Sequence, residues 1–171
     1  MKKISLISCF FLFFFLVTSV ALKAQGTGLD FEKQAVQEAE KGNQVIALDL
    51  FSKAGYAYWS NGKTEKAIQV FSKALQYATE LNNRNALIAL NNNLALLYTG
   101  KEDYRNALRH FQSAYELIRQ LRTSKEQAEA LMNIASAQEG LQEYELAIKT
   151  AQEAMQIAQE EQDLRLMRKG C

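Results

Sequence analysis

The sequence predicts an all-α fold: a solenoid of stacked helix-turn-helix repeats behind a short N-terminal export segment. Three observations predict it. The chain aligns with itself at a shift of forty residues, without gaps, over three copies. Each copy carries two runs of apolar residues at helical spacing. The 171 residues include no proline and only eight glycines, which argues against a turn-dense β sandwich or Pro-rich linkers.

Composition also bounds the chemistry. With 48% hydrophobic and 23% charged residues, the chain reads as one ordinary globular domain. A formal charge of +1 leaves no electrostatic footprint for nucleic acid. Two cysteines and one histidine are too few for a Cys/His metal site. No metal and no cofactor are expected.

Residues 1–24 read as a secretory signal peptide. Met1-Lys2-Lys3 is basic, residues 4–22 are almost wholly apolar, and Ser19-Val20-Ala21 and Leu22-Lys23-Ala24 offer small residues for cleavage. A cut after Ala24 leaves Gln25 first; a cut after Ala21 fits the small-x-small rule slightly better. Left uncleaved, residues 4–22 are long enough to anchor the chain in a bilayer, with Lys2 and Lys3 holding that end in the cytoplasm. Leu6-Ile7-Ser8-Cys9 has the letters of a lipobox, but Cys9 begins the apolar run instead of following it. The expected location is outside the cytoplasm of a bacterial cell, periplasmic or secreted. Removal of residues 1–24 takes three lysines, leaving 17 basic against 19 acidic side chains. It also leaves Cys171 as the single thiol, with no internal partner for a disulfide.

The elements follow in order. Residues 25–43 are expected to form a capping helix, with Phe31, Ala35 and Ala39 on one face. Repeats are expected at 44–87, 88–127 and 128–167, and a tail at 168–171. In the first copy Leu48, Phe51, Ala54, Gly55 and Tyr58 mark one helix; Ala67, Ile68, Phe71, Ala74, Leu75 and Ala78 mark the second. Small residues recur: Ala67, Ala107 and Ala147; Ala74, Ala114 and Ala154; Gly55, Ala95 and Ala135. They let helices approach closely, and Phe71 and Phe111 fill the space between units. Turns are marked by glycines at Gly62, Gly100 and Gly140. Such units cannot bury an apolar face alone and must stack. Residues 163–169 look like the start of a fourth first helix.

Phe51-x2-Ala54-Gly55-x2-Tyr58, then Ala67-x3-Phe71, resembles the tetratricopeptide repeat signature. Leu94-Ala95-x2-Tyr98 with Ala107-x3-Phe111 is similar. The third copy has Gln138 and Ala151 where aromatics are usual, and the family's closing proline is missing throughout. A period of forty, not thirty-four, resembles the long-helix variant found in kinesin light chains, Rap-type peptide receptors and extracytoplasmic parts of bacterial sensors. The resemblance implies a right-handed superhelix whose first helices line a concave binding side.

No catalytic set is evident. His110 is the sole histidine, so no Ser-His or Cys-His pair extends beyond it, and it is expected on a solvated outer face. The carboxylates lie on helix surfaces as partners of lysine and arginine. Gly62-Lys63-Thr64 lacks the preceding glycine and strand of a phosphate loop. Function is therefore expected to be recognition of a protein or extended peptide, not catalysis. The groove residues expected to carry it are Lys53, Tyr56, Trp59, Asn92, Asn93, Asn133 and Ser136. Asn93 and Asn133 are one repeat apart, and a side-chain amide brackets a peptide bond with donor and acceptor together. The resemblance implies an asparagine ladder there, interrupted by Lys53. A basic clamp for a C-terminal carboxylate is not evident, because Ser52 and Tyr56 occupy key places. Tyr56 and Trp59 suit interface anchors or contacts to the capping helix. The alternative role is sensory: the extracytoplasmic input portion of a larger signalling protein. A plain bundle without a groove does not explain the regular forty-residue pattern.

Overall fold

The computed structural model describes residues 27–121 and 123–169. The expected signal segment, Cys9 and Cys171 lie outside the described residues. Seven helices run in order: α1 (Gly28–Glu40), α2 (Gln44–Ser60), α3 (Thr64–Glu80), α4 (Arg84–Gly100), α5 (Tyr104–Leu121), α6 (Ser124–Gly140) and α7 (Tyr144–Lys169). Each packs on the next. The three-residue turns fold neighbours back antiparallel, so α2–α3, α4–α5 and α6–α7 are hairpins and α1 covers the N-terminal edge. The architecture is an all-α helical-repeat solenoid.

Helices α2 to α7 begin at 44, 64, 84, 104, 124 and 144. The forty-residue pattern is thus a frame of twenty used twice. The hairpins start at 44, 84 and 124, so the unit starts expected at 88 and 128 lie four residues inside α4 and α6.

The turns explain the frame. Positions 42, 62, 82, 102 and 142 all have positive φ: Gly42, Gly62, Asn82, Glu102 and Gln142. At each, two backbone bonds close the preceding helix. Lys63 N donates to Tyr58 O and Gly62 N to Trp59 O; Asp103 N donates to Tyr98 O and Glu102 N to Thr99 O. These are the paired bonds of a Schellman stop. At two of the turns the following residue caps the next helix with its side chain: Asn83 Oδ1 accepts from Ala86 N, and Asp103 Oδ1 from Asn106 N. Thr27 and Thr123 make full capping boxes with Asp30 and Glu126.

Turns follow Gly100 and Gly140 as expected; these glycines end α4 and α6, and Glu102 and Gln142 take the positive φ. Gly140 serves packing, since a Cβ there would collide with the Tyr104 ring. Residues 163–169 do not start a new helix; α7 continues through them without a turn. Residues 168 and 169 of the expected tail therefore belong to α7.

The core is built on small residues at crossings. Ala54, Ala67, Ala74, Ala107 and Ala114 are fully buried. Phe71, completely enclosed, lies flat on Gly55, where a Cβ would stand 2.5 Å from its ring. Helix α1 is held by Ala35 in the core, by Tyr58 Oη donating to Glu32 Oε2 at 2.8 Å, and by Lys73 near Glu32 at 3.7 Å. Burial and the Glu32 carboxylate push the Tyr58 hydroxyl up to about 12.

Candidate functional site

The first helices α2, α4 and α6 share one face that no other described helix covers. It comprises positions 49, 52, 53 and 56; 89, 92, 93 and 96; and 129, 132, 133 and 136, all exposed or half-buried. Three large apolar side chains stand open on it: Tyr56 at 48% exposure, Leu96 at 46% and Met132 at 49%. Amides alternate with them.

The structure joins some of the expected residues. Asn93 Nδ2 donates to Tyr56 Oη at 2.7 Å, linking α4 to α2. The Tyr56 ring meets Phe71 edge-on with centroids 5.1 Å apart, and Trp59 meets the same ring at 6.4 Å. Both expected anchors therefore lean on Phe71 of α3. Trp59 is half-buried and forms wall, whereas Tyr56 keeps its open edge. Asn92 and Asn133 line one cleft of about 290 Å³ between α4 and α6, floored by Ile88 and Ile118 and rimmed by Glu126 and Glu129. Ser136 lies apart, in a second cleft of about 350 Å³ between α6 and α7.

The ladder positions 53, 93 and 133 differ in state. Lys53 Nζ is paired with Asp49 at 2.6 Å, one turn away. Asn93 is engaged by Tyr56. Asn133 has no side-chain hydrogen bond to another described residue. A cation, an engaged amide and an open amide thus follow one another along the face.

His110 requires a correction. It is half-buried, not on a solvated face. Its Nδ1 lies 2.9 Å from Asn91 Oδ1, and its ring stacks on Tyr98 at 5.6 Å and 9°. Asn91 Nδ2 donates to Leu87 O, so Asn91 Oδ1 is the acceptor and His110 Nδ1 carries the proton. Burial, then the Arg109 charge, lowers the affinity of the ring for a second proton. Asn91 went unnoticed as a core residue because it sits in the Asn91-Asn92-Asn93 run, which reads as polar surface. Its signal was its place one turn before Ala95 on the buried side.

Among the described residues no group of three or more His, Cys, Asp or Glu is placed to hold a metal ion. Nor is any described helix long and apolar enough to cross a membrane. The face offers amides, a phenol and apolar surface, together with the charged side chains Asp49, Lys53 and Glu129.

The tetratricopeptide repeat pattern matches residues 47–120 and again 85–160. The chain belongs to the tetratricopeptide repeat family. Repeats of this family are generally protein-interaction scaffolds and generally non-catalytic, and bind proteins or peptides. BtubC (BKLC) from P. vanneervenii superposes with a TM-score of 0.69 at 16% identity, over 79% of this chain and 56% of that one. The chain thus spans little more than half the length of BtubC. The N-terminal domain of stress-induced protein-1 (STI-1) from C. elegans gives 0.57 at 20% identity, over 67% of this chain and 86% of that one. MamA gives 0.54 at 16% identity, over 85% and 86%. Identities this low establish the tetratricopeptide fold and nothing finer. None of the curated proteins matches the chain in sequence.

Proposed function

We propose that this tetratricopeptide array is a non-catalytic scaffold that binds an extended segment of a partner protein along the face of α2, α4 and α6. One observation carries the reading: Tyr56, Leu96 and Met132 stand half-exposed on that face, which Asn93 and Asn133 share. Apolar anchors supply affinity, and amides satisfy the partner's backbone whatever its sequence. Hairpin starts forty residues apart support assignment to the long-repeat kind within the family.

The test is selection of a random displayed peptide library on the intact protein. Peptides that it enriches are expected to lose at least tenfold in affinity on the Asn93→Ala/Asn133→Ala variant, with helicity and melting nearly unchanged. Undiminished binding by that variant would remove the amides from the account.

We further propose that the scaffold works outside the cytoplasm. The basic head, apolar run and small-residue end of residues 1–24 support this. Intact mass from the exported fraction is expected to begin at Gln25 or Leu22; a cytoplasmic product retaining Met1 would contradict export.

A further inference from the structure

The second cleft repeats a site that the first two hairpins fill for themselves. In hairpin α2–α3 the Phe71 ring sits on Gly55 and touches the rings of Tyr56 and Trp59. Eighty residues on, the equivalent positions are Ala151, Ala135, Ser136 and Glu139. All four line the cleft of about 350 Å³ between α6 and α7. In hairpin α4–α5 the aromatic is again present: Phe111 is buried in one cluster with Ala95. Only the third hairpin replaces the ring with a methyl group, and there the space stays open. Met132 and Ile148 wall it, at 49% and 59% exposure. In hairpin α2–α3 Ile68, the counterpart of Ile148, is buried in one cluster with Leu90 and Leu94 of α4, whereas no described helix follows α7.

Charge narrows the occupant. Glu139 stands at the cleft with no ion pair to another described residue. Met132 and Ser136 belong both to this cleft and to the first-helix face, so the groove runs into it.

We propose that this cleft takes an aromatic side chain of the bound partner, with a lysine or arginine next to it in that partner meeting Glu139. The inference rests on the proposed peptide-binding role. The ring replaces the phenyl group that Phe71 and Phe111 supply internally, and the neighbouring cation meets a carboxylate that lacks one.

The decisive variant restores the repeat's own ring. Phe111 packs beside Ala95, the counterpart of Ala135, so Ala151→Phe has room to fold. Filling the cleft is expected to raise Tm by about 2–4 °C. Full-length protein carrying labelled methyl groups would be titrated with acetyl-Phe-Arg-amide and with acetyl-Ala-Arg-amide. The expected result is saturable shifts at Met132, Ile148 and Ala151 with the first peptide, at least tenfold weaker response to the second, and none in Ala151→Phe. Glu139→Gln is expected to weaken the first peptide several-fold. Equal response to both peptides, shifts that persist in Ala151→Phe, or a lowered Tm of that variant would overturn the proposal. Concentration-dependent shifts at Met132 without peptide would assign the cleft to a second copy of the chain and also overturn it. Asn93→Ala/Asn133→Ala leaves this short titration intact, so the cleft and the ladder fail separately.

Discussion

Asn93 of α4 donates its side-chain amide to the Tyr56 hydroxyl of α2 at 2.7 Å, a bond that joins the first helices of successive hairpins. The amide most suited to hold a ligand backbone is therefore occupied from within. Tyr56→Phe removes the acceptor and keeps the ring on Phe71. Both partners retain contact with water, so the stability loss is expected to stay below about 1 kcal/mol in chemical denaturation. Peptides selected on the protein should bind the variant up to about fivefold more tightly by calorimetry, the equivalent of about 1 kcal/mol. Weaker binding would mean that the hydroxyl itself contacts the ligand.

His110 makes stability depend on pH in a defined direction. Burial, then Arg109, lowers its pKa below the ordinary 6.5. Above 6.5 neither folded nor unfolded chain binds the proton, and the protein has its full relative stability. As pH falls through 6.5 toward the lower folded value, the unfolded chain takes up the proton first and stability declines. It is the sole histidine, so the window from pH 7.5 to 5.5 isolates it from the carboxylates, which titrate lower. His110→Gln should flatten the change in Tm across that window. A slope unchanged by the substitution would refute the assignment.

Glycines with different neighbours should respond oppositely to one methyl group. Gly55→Ala drives a Cβ into the Phe71 ring and should cost about 1–3 kcal/mol by overpacking. Gly100→Ala meets open space at a helix end and should stabilise by about 0.5–1 kcal/mol. Glu102→Gly relieves a side chain at φ 59 and should gain about 0.5–1 kcal/mol. Urea midpoints rank the three.

The third hairpin carries a second local cost. Gln138 is only 4% exposed and its Oε1 has no hydrogen-bond partner among the described residues. Tyr58 and Tyr98 hold the equivalent places and find Glu32 and the His110 ring. Gln138→Leu should raise stability by about 1–2 kcal/mol, because an unsatisfied buried carbonyl is removed. A fall in Tm would show that the amide is satisfied by water.

Much of the fold was legible because the code for it is local and repeated. Alanines at fixed spacing, amphipathic runs and the Phe31, Ala35 and Ala39 stripe of α1 all report helix contacts that recur every forty residues. The turns were harder. Only Gly42 and Gly62 announce a left-handed residue; Asn82, Glu102 and Gln142 adopt it because two helix-closing bonds outweigh the strain. Pairings across helices leave no local sign, which is why Tyr56–Asn93 and His110–Asn91 emerged only in three dimensions. Ala151 was visible as a departure from the aromatic pattern, but a missing ring becomes a cleft only where the adjoining wall does not close in. The new first helix expected at residues 163–169 does not form, because the sequence before it has no turn chemistry and α7 simply continues.

The central claim is that the first-helix face, not the second-helix face, meets the partner. Site-specific photo-crosslinking in living cells tests it most directly, with benzoylphenylalanine at Leu96 or Met132 on the first helices and at Gln112 on α5. The account predicts protein adducts from Leu96 and Met132 that Asn93→Ala/Asn133→Ala diminishes, and none from Gln112. Adducts from Gln112 with none from Leu96 or Met132 would place recognition on the opposite face and contradict it.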